Sequence, residues 1–188
     1  MADIQYNFIN LPSRIEFENG HVISYLYDAD GIKLRTTHII GSDTTVTDYC
    51  GNVIYENGIP VKLLTEAGYV TLADSKYHYF VQDHLGNNRV VVDQSGNVEE
   101  VNHYYPFGGL LSSSVSNAVQ PYKYNGKELD RKNGLDWYDY GARMYDAALG
   151  RWHAVDPMSE KYYSWSPYTY CMGNPINHID PDGNTVRS

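Results

Sequence analysis

The sequence predicts an all-β fold: an array of antiparallel β-hairpins forming a curved sheet, ended by a short C-terminal helix and an aromatic plug. Three observations carry this prediction. Turn pairs such as Asn19-Gly20, Asn57-Gly58 and Gly96-Asn97 punctuate the chain about every ten residues, the spacing of a hairpin array. The runs between them alternate apolar and polar residues. Of the 188 residues, 19 are Tyr and only 4 are Phe, a choice that suits half-buried strand faces because each ring brings a hydroxyl that needs a partner.

Taken in order, Ile15 and Phe17 lead to Asn19-Gly20, and Val22, Ser24 and Leu26 lead to Asp28-Ala29-Asp30-Gly31. Asn-Gly between alternating runs is a strong local signal for a hairpin. Residues 45–48 reach Gly51-Asn52, and 53–55 reach Asn57-Gly58. Runs at 61–64, 69–72 and 77–81 follow, then a turn at 83–87, a run at 89–92, a turn at 94–97 and a run at 98–105. Residues 1–111 form the hairpin strip in this reading. Residues 112–121 form a Ser-rich linker loop, continuing the Gly- and Ser-rich composition that starts at Gly108. Residues 122–188 form the closing segment, with a strand and turn at 122–128 and a further strand at 135–145; a helix at 142–149 stays open, since short apolar runs do not distinguish the two. Ser166 as N-cap, Pro167 as first helical residue and Gly173 as terminator predict the short helix. A strip of hairpins leaves an edge strand with unpaired backbone groups, which predicts homo-oligomer formation through that edge.

Several motifs occur in a fixed order: Tyr25-Leu26-Tyr27-Asp28, Asp83-His84-Leu85-Gly86, Tyr104-Tyr105-Pro106-Phe107-Gly108, Gly150-Arg151-Trp152, Asp156-Pro157, Ser166-Pro167-Tyr168, Gly173-Asn174-Pro175-Ile176-Asn177 and Asp180-Pro181-Asp182-Gly183. The ordered set covers most of the chain and resembles the RHS repeat-associated core domain, which closes the tyrosine–aspartate (YD) repeat shells of Rhs and insecticidal-toxin C proteins. The resemblance implies a YD/RHS-type sheet spiralling into a hollow shell, with the rest of a shell or toxin polypeptide as partner. It also implies encapsulation of a polymorphic toxin and a secreted or cell-surface location as part of a larger protein.

Two chemistries compete at the Asp-Pro motifs. Two carboxylates about 3 Å apart share a proton, so one can activate an attacking group while the other protonates a leaving amide. Asp156, Asp180 and Asp182 are the candidates for such an aspartyl dyad, with Arg151 as the cation that holds one of them ionised. The resemblance implies self-cleavage after the second motif, at Gly183 and Asn184. Here the sequence departs from the family twice: Ser159 stands where a glycine follows the first motif, and Asn184 stands where the cutting members carry Leu. Four residues follow Asn184, too few for a released toxin. The competing reading makes the three aspartates turn formers, bonding local backbone. It is favoured, and an active protease in this chain is not expected.

Other chemistries find less support. A formal net charge of −9 disfavours nucleic acid and anionic membranes as partners. Asp28-Ala29-Asp30-Gly31 and Asp180-Pro181-Asp182-Gly183 imitate the start of a calcium loop without its acidic twelfth ligand, and the seven histidines never fall at ligand spacing, so neither metal nor cofactor is expected. Trp137, Tyr138, Tyr140, Tyr145, Trp152, Tyr162, Tyr163, Trp165, Tyr168 and Tyr170 could form a glycan-binding face, but rings at strand spacing are more often packed interior. Cys50 and Cys171 are read as buried free thiols in preference to one long-range disulfide. The N-terminus lacks the basic and apolar regions of a signal peptide, and no 18-residue apolar run is present to span a membrane.

Overall fold

The computed structural model describes residues 3–112, 114–116 and 120–187. The chain divides into two compact units, Met1–Tyr79 and Phe80–Ser188. The segment expected as a linker, 112–121, falls within the second unit, and its residues 113 and 117–119 lie outside the described set.

The first unit is an antiparallel meander in which each strand pairs with the next. Its strands are β1 (Asp3–Tyr6), β2 (Pro12–Glu16), β3 (Val22–Tyr27), β4 (Lys33–Ile40), β5 (Asp43–Cys50), β6 (Val53–Glu56), β7 (Ile59–Thr65), β8 (Gly68–Thr71) and the start of β9 (Lys76–Gln82). The turns fall where the sequence placed them, for local reasons. Asn57 and Gly58 both take positive φ, 50° and 79°, the backbone that a two-residue hairpin loop demands. On β3 the buried face is Ile23 and Tyr25, with Ile23 opposite Ile15 of β2, whereas Leu26 is exposed. At Gly68 a Cβ would meet the His78 carbonyl oxygen at 2.0 Å, so β8 approaches β9 more closely than any side chain permits.

The second unit contains β10 (Asn88–Asp93), β11 (Val98–Val101) and β12 (Val115–Ser116), paired in order. A separate four-stranded sheet is built of β13 (Glu128–Asp130), β14 (Trp137–Asp139), β15 (Met144–Asp146) and β16 (Arg151–Trp152). The stretch at 135–145, expected as one strand, is two, folded at Gly141 with φ 92°. The alternative helix at 142–149 gives way to β15 and a turn in which the Asp146 carboxylate accepts from the Ala148 and Leu149 amides at 2.8 and 3.0 Å.

No α-helix occurs among the described residues, only single 3-10 turns at Tyr124–Gly126, Lys132–Gly134, Ser159–Lys161 and Cys171–Gly173. The helix expected from Ser166 to Gly173 is therefore absent. Its carbonyls are claimed from elsewhere: Pro167 O accepts from Asp156 N at 3.0 Å and Tyr168 O from Trp152 N at 3.1 Å, while Cys171 and Met172 take left-handed φ of 45° and 51°. Tertiary hydrogen bonds outweigh a weak local start signal.

The core of this unit is aromatic. Tyr124, Tyr138, Tyr140, Tyr145, Trp152 and Tyr170 pack with Leu129 and Cys171, and Tyr104, Phe107 and Leu110 close over them. These tyrosines are fully buried, not half-buried as their polarity suggested, because each hydroxyl finds an acceptor. Tyr124, Tyr138 and Tyr145 donate to the Pro106, Gly108 and Phe107 carbonyls at 2.8–2.9 Å, and Tyr140 and Tyr170 share Asn125 Oδ1 at 2.6 and 2.7 Å. The loop at 104–110 is thus held from beneath by three hydroxyls. Gly108, at φ 87°, lies so close over the Tyr124 ring that a Cβ would sit 2.6 Å from it.

Candidate functional site

Asp156 and Asp180 meet on one buried cation, Arg143 of the turn into β15. Its Nη2 reaches Asp156 Oδ2 at 3.2 Å and Asp180 Oδ2 at 3.4 Å. Its Nη1 donates to the Pro167 carbonyl at 3.3 Å and its Nε to the Gly183 carbonyl at 2.5 Å, and the guanidinium lies 4.2 Å from the centre of the Trp152 ring. The side chain is 1% exposed. A planar fork that can donate to several oxygens at once suits this junction, where Lys would not.

Arg151, the cation expected here, is exposed on β16 and pairs through its backbone with Asp146 and Thr169. Nothing in its immediate neighbours marks Arg143 in the sequence, because Ala142 and Met144 surround it with an ordinary strand pattern. The available signal was an arginine set between Tyr138, Tyr140 and Tyr145 in the most aromatic part of the chain, since buried arginine requires paired acceptors.

Each aspartate also organises its own turn. Asp156 Oδ1 accepts from Met158 N at 2.7 Å. Ser159, where the resemblance implies a glycine, opens a 3-10 turn, and its φ is not positive, so no glycine is required there. Asp180 Oδ1 accepts from the amides of Gly183 at 2.8 Å and Asn184 at 3.1 Å. Gly183, at φ 78°, is buried so tightly that a Cβ would lie 3.0 Å from Arg143 N. Lys127 Nζ, reaching the Pro181 carbonyl at 2.5 Å, ties down the same turn. Asp182 is exposed and caps Asn184 and Thr185 at 3.0 and 3.2 Å.

The electrostatics separate the aspartates. Burial raises Asp180 above the usual carboxylate range, opposed by the attraction of Arg143 and by the backbone amides. Burial likewise presses Arg143 down, while Asp156 and Asp180 push it back up. Burial would also raise Asp182, but the Asn184 and Thr185 amides outweigh it and leave the group lowered. Asp156 borders a shallow pocket lined by Ser159, Tyr162, Trp165, Pro167 and Met172, whereas Asp180 is 0% exposed. The arrangement thus offers one carboxyl group near solvent, one fully buried and raised above its usual range, and a guanidinium on the Gly183 carbonyl.

The aromatic residues divide. Trp137, Tyr138, Tyr140, Tyr145, Trp152 and Tyr170 are interior, while Tyr163, Trp165 and Tyr168 are exposed. Cys50 and Cys171 are free thiols; Cys171 is buried, and burial pushes it up to about 12, while Cys50 is exposed at the end of β5, contrary to expectation. The Asp28 turn bonds the Asp30 and Ile32 amides at 2.9 Å each. No helix of the described residues is long and apolar enough to cross a membrane.

Residues 63–173 match the family described as Teneurin YD-shell. The chain is 32% identical over 196 aligned residues to Salivary gland surface protein 1 of Aedes aegypti, covering 91% of this chain and 6% of that protein. It is 30% identical over 154 residues to toxin subunit YenC1 of Yersinia entomophaga, covering 73% and 15%, and 28% identical over 173 residues to the tRNA nuclease WapA of Bacillus subtilis, covering 89% and 7%. The chain therefore spans a small fraction of these relatives. Among solved structures, it superimposes on TcdB2-TccC3-TEV with a TM-score of 0.79 at 19% identity, covering 96% of this chain and 10% of that one. On the Photorhabdus luminescens Tc holotoxin pore the TM-score is 0.77 at 21% identity, covering 96% and 10%.

Proposed function

Because the chain belongs to the teneurin YD-shell family, we propose that it serves as a wall-and-plug segment of a larger YD/RHS-type shell, closing a container for an enclosed toxin. The observation that supports this reading is the Arg143 junction, which ties β15, the Asp156 turn and the Asp180–Gly183 turn into one closure over an aromatic core. A closure has to stay shut, and a buried, multiply bonded guanidinium resists local opening. The test is electron microscopy of the natural polypeptide that carries this chain. A hollow particle that opens or collapses on Arg143→Ala is expected; a solid particle would overturn the proposal.

One observation favours a second reading, self-cleavage between Gly183 and Asn184. Arg143 Nε donates to the Gly183 carbonyl oxygen, where negative charge would develop if that peptide were attacked. Asp156, beside the pocket, would activate water, and Asp180, with its raised pKa, would protonate the leaving amide. Intact mass after incubation at pH 5 and pH 7 tests it. Loss of the residues after Gly183, abolished by Asp156→Asn, supports cleavage; a stable C-terminus refutes it and leaves the carboxylates as anchors of the closure.

A further inference from the structure

A second buried polar cluster lies in the same unit, apart from the aspartates. Glu100 of β11, Asn102, Gln120 and Lys123 are 3%, 0%, 3% and 3% exposed. One oxygen, Glu100 Oε1, accepts from Lys123 Nζ at 2.5 Å, from Gln120 Nε2 at 2.9 Å and from Asn102 Nδ2. Asn102 Nδ2 donates also to the Asn88 carbonyl at 3.0 Å, while Asn102 Oδ1 is buried without a hydrogen-bond partner among the described residues. A buried amine, a buried carboxamide and a carboxylate that touches both are thus assembled out of water.

We propose that Lys123 and Asn102 join in an intramolecular isopeptide bond, with Glu100 as the proton carrier. The geometry supplies each part. Nζ and Nδ2 rest on the same oxygen, so they are no farther apart than those two contacts laid end to end, and the electrophilic Cγ is one bond from Nδ2, within reach of the flexible Lys123 side chain. Holding reactants this way supplies much of the barrier lowering that an intramolecular acyl transfer needs. The free Oδ1 leaves the carbonyl without a competing donor. The ground state is itself costly, because a buried ion pair must overcome desolvation of both charges; the amide product carries neither.

The step balances. Lys123 passes one ammonium proton to Glu100, giving a neutral amine beside a neutral carboxyl. The Nζ lone pair forms a bond to Asn102 Cγ, with a tetrahedral intermediate whose charge rests on Oδ1. The Cγ–Nδ2 bond then breaks as Glu100 protonates Nδ2 and accepts the second Nζ proton. Ammonia departs, taking up that proton as ammonium and leaving Glu100 ionised. No oxidant, metal or co-reactant enters. Burial lowers Lys123 from its ordinary value, opposed by Glu100, which favours the neutral amine the attack requires. Gln120 presents a similar amide, but Asn102 is the more deeply buried and is held at two acceptors. The product would close the segment 103–122, which contains the Ser-rich stretch, into a covalent loop.

The experiment is intact mass of the folded, full-length chain, followed by peptide mapping. Expected is a mass about 17 Da below that of the sequence, one ammonia, together with a branched peptide joining Asn102 to Lys123. Lys123→Met and Glu100→Gln are each expected to restore the full mass, with near-ultraviolet circular dichroism of the tyrosines reporting that the fold persists. A full sequence mass in folded wild-type protein overturns the proposal whether or not the variants fold. A branch through Gln120 overturns the assignment to Asn102. Neither result can be confused with cleavage after Gly183, which removes whole residues.

Discussion

The chain contains the pattern Asp-x-Asp-Gly twice, at 28–31 and at 180–183, and the two copies share a local geometry and differ in almost everything else. In both, the first aspartate bonds amides two to four residues ahead and the glycine takes positive φ, 85° at Gly31 and 78° at Gly183. Asp83 and Asp93 build the same turn, with amide bonds of 2.8–3.1 Å and Gly86 and Gly96 at positive φ. Asp28 stops there, partly exposed. Asp180 uses its second oxygen on Arg143, is fully buried, and anchors the closing turn of its unit. A turn motif is therefore a neutral component, and burial plus one cation turns it into a junction.

The largest expected effect comes from removing that cation. Arg143→Ala leaves Asp156 and Asp180 buried without their shared cation and should destabilise the second unit by about 3–5 kcal/mol, read by chemical denaturation with tryptophan fluorescence. A loss near that of a surface substitution would erase the contrast between the two turns. Truncating the aspartates themselves should be graded. Asp180→Ala forfeits charge-assisted bonds to Arg143 and to backbone amides, about 2–3 kcal/mol, whereas Asp28→Ala forfeits only solvent-accessible turn bonds, about 1 kcal/mol. Equal values for the two would show that the buried copy is no more than a turn.

The smallest effect is the dependence on pH, where the sign matters more than the size. Asp180 is raised in the fold, so the folded state holds its proton more readily than the unfolded chain. Its stabilising contribution is complete below the unfolded aspartate pKa and is lost as pH rises through the folded value. Asp93 is lowered, chiefly by the Asn97 side chain and amide, so its contribution is present above the unfolded pKa and is lost as pH falls through the folded one. Urea denaturation from pH 3 to pH 7 should therefore show Asp180→Asn gaining on the wild type toward higher pH and Asp93→Asn gaining toward lower pH. The same slope in both variants would mean that burial does not distinguish the sites.

The hairpin rhythm was legible because its causes are local. Asn57-Gly58, Asp93-Gln94-Ser95-Gly96 and their repeats carry backbone preferences that act within four residues, and the observed strands follow them. The ordered motifs likewise located Asp156 and Asp180. Their cation was not legible, because Arg143 lies 13 and 37 residues away from them along the chain and resembles any strand residue until the sheet folds. Nor was the fate of 166–173, where a helix start signal worth little by itself lost to hydrogen bonds from Trp152 and Asp156.

By itself, then, the sequence determined that this chain is an all-β meander with aspartate turns at stated places and an aromatic closing segment, since turn geometry and strand alternation depend on near neighbours. Only the tertiary structure decided which tyrosines disappear completely, which arginine joins two carboxylates, and that Lys123, Glu100 and Asn102 share one dry pocket of polar atoms. Those outcomes depend on partners distant in sequence, whose desolvation can be offset only after packing has brought them together.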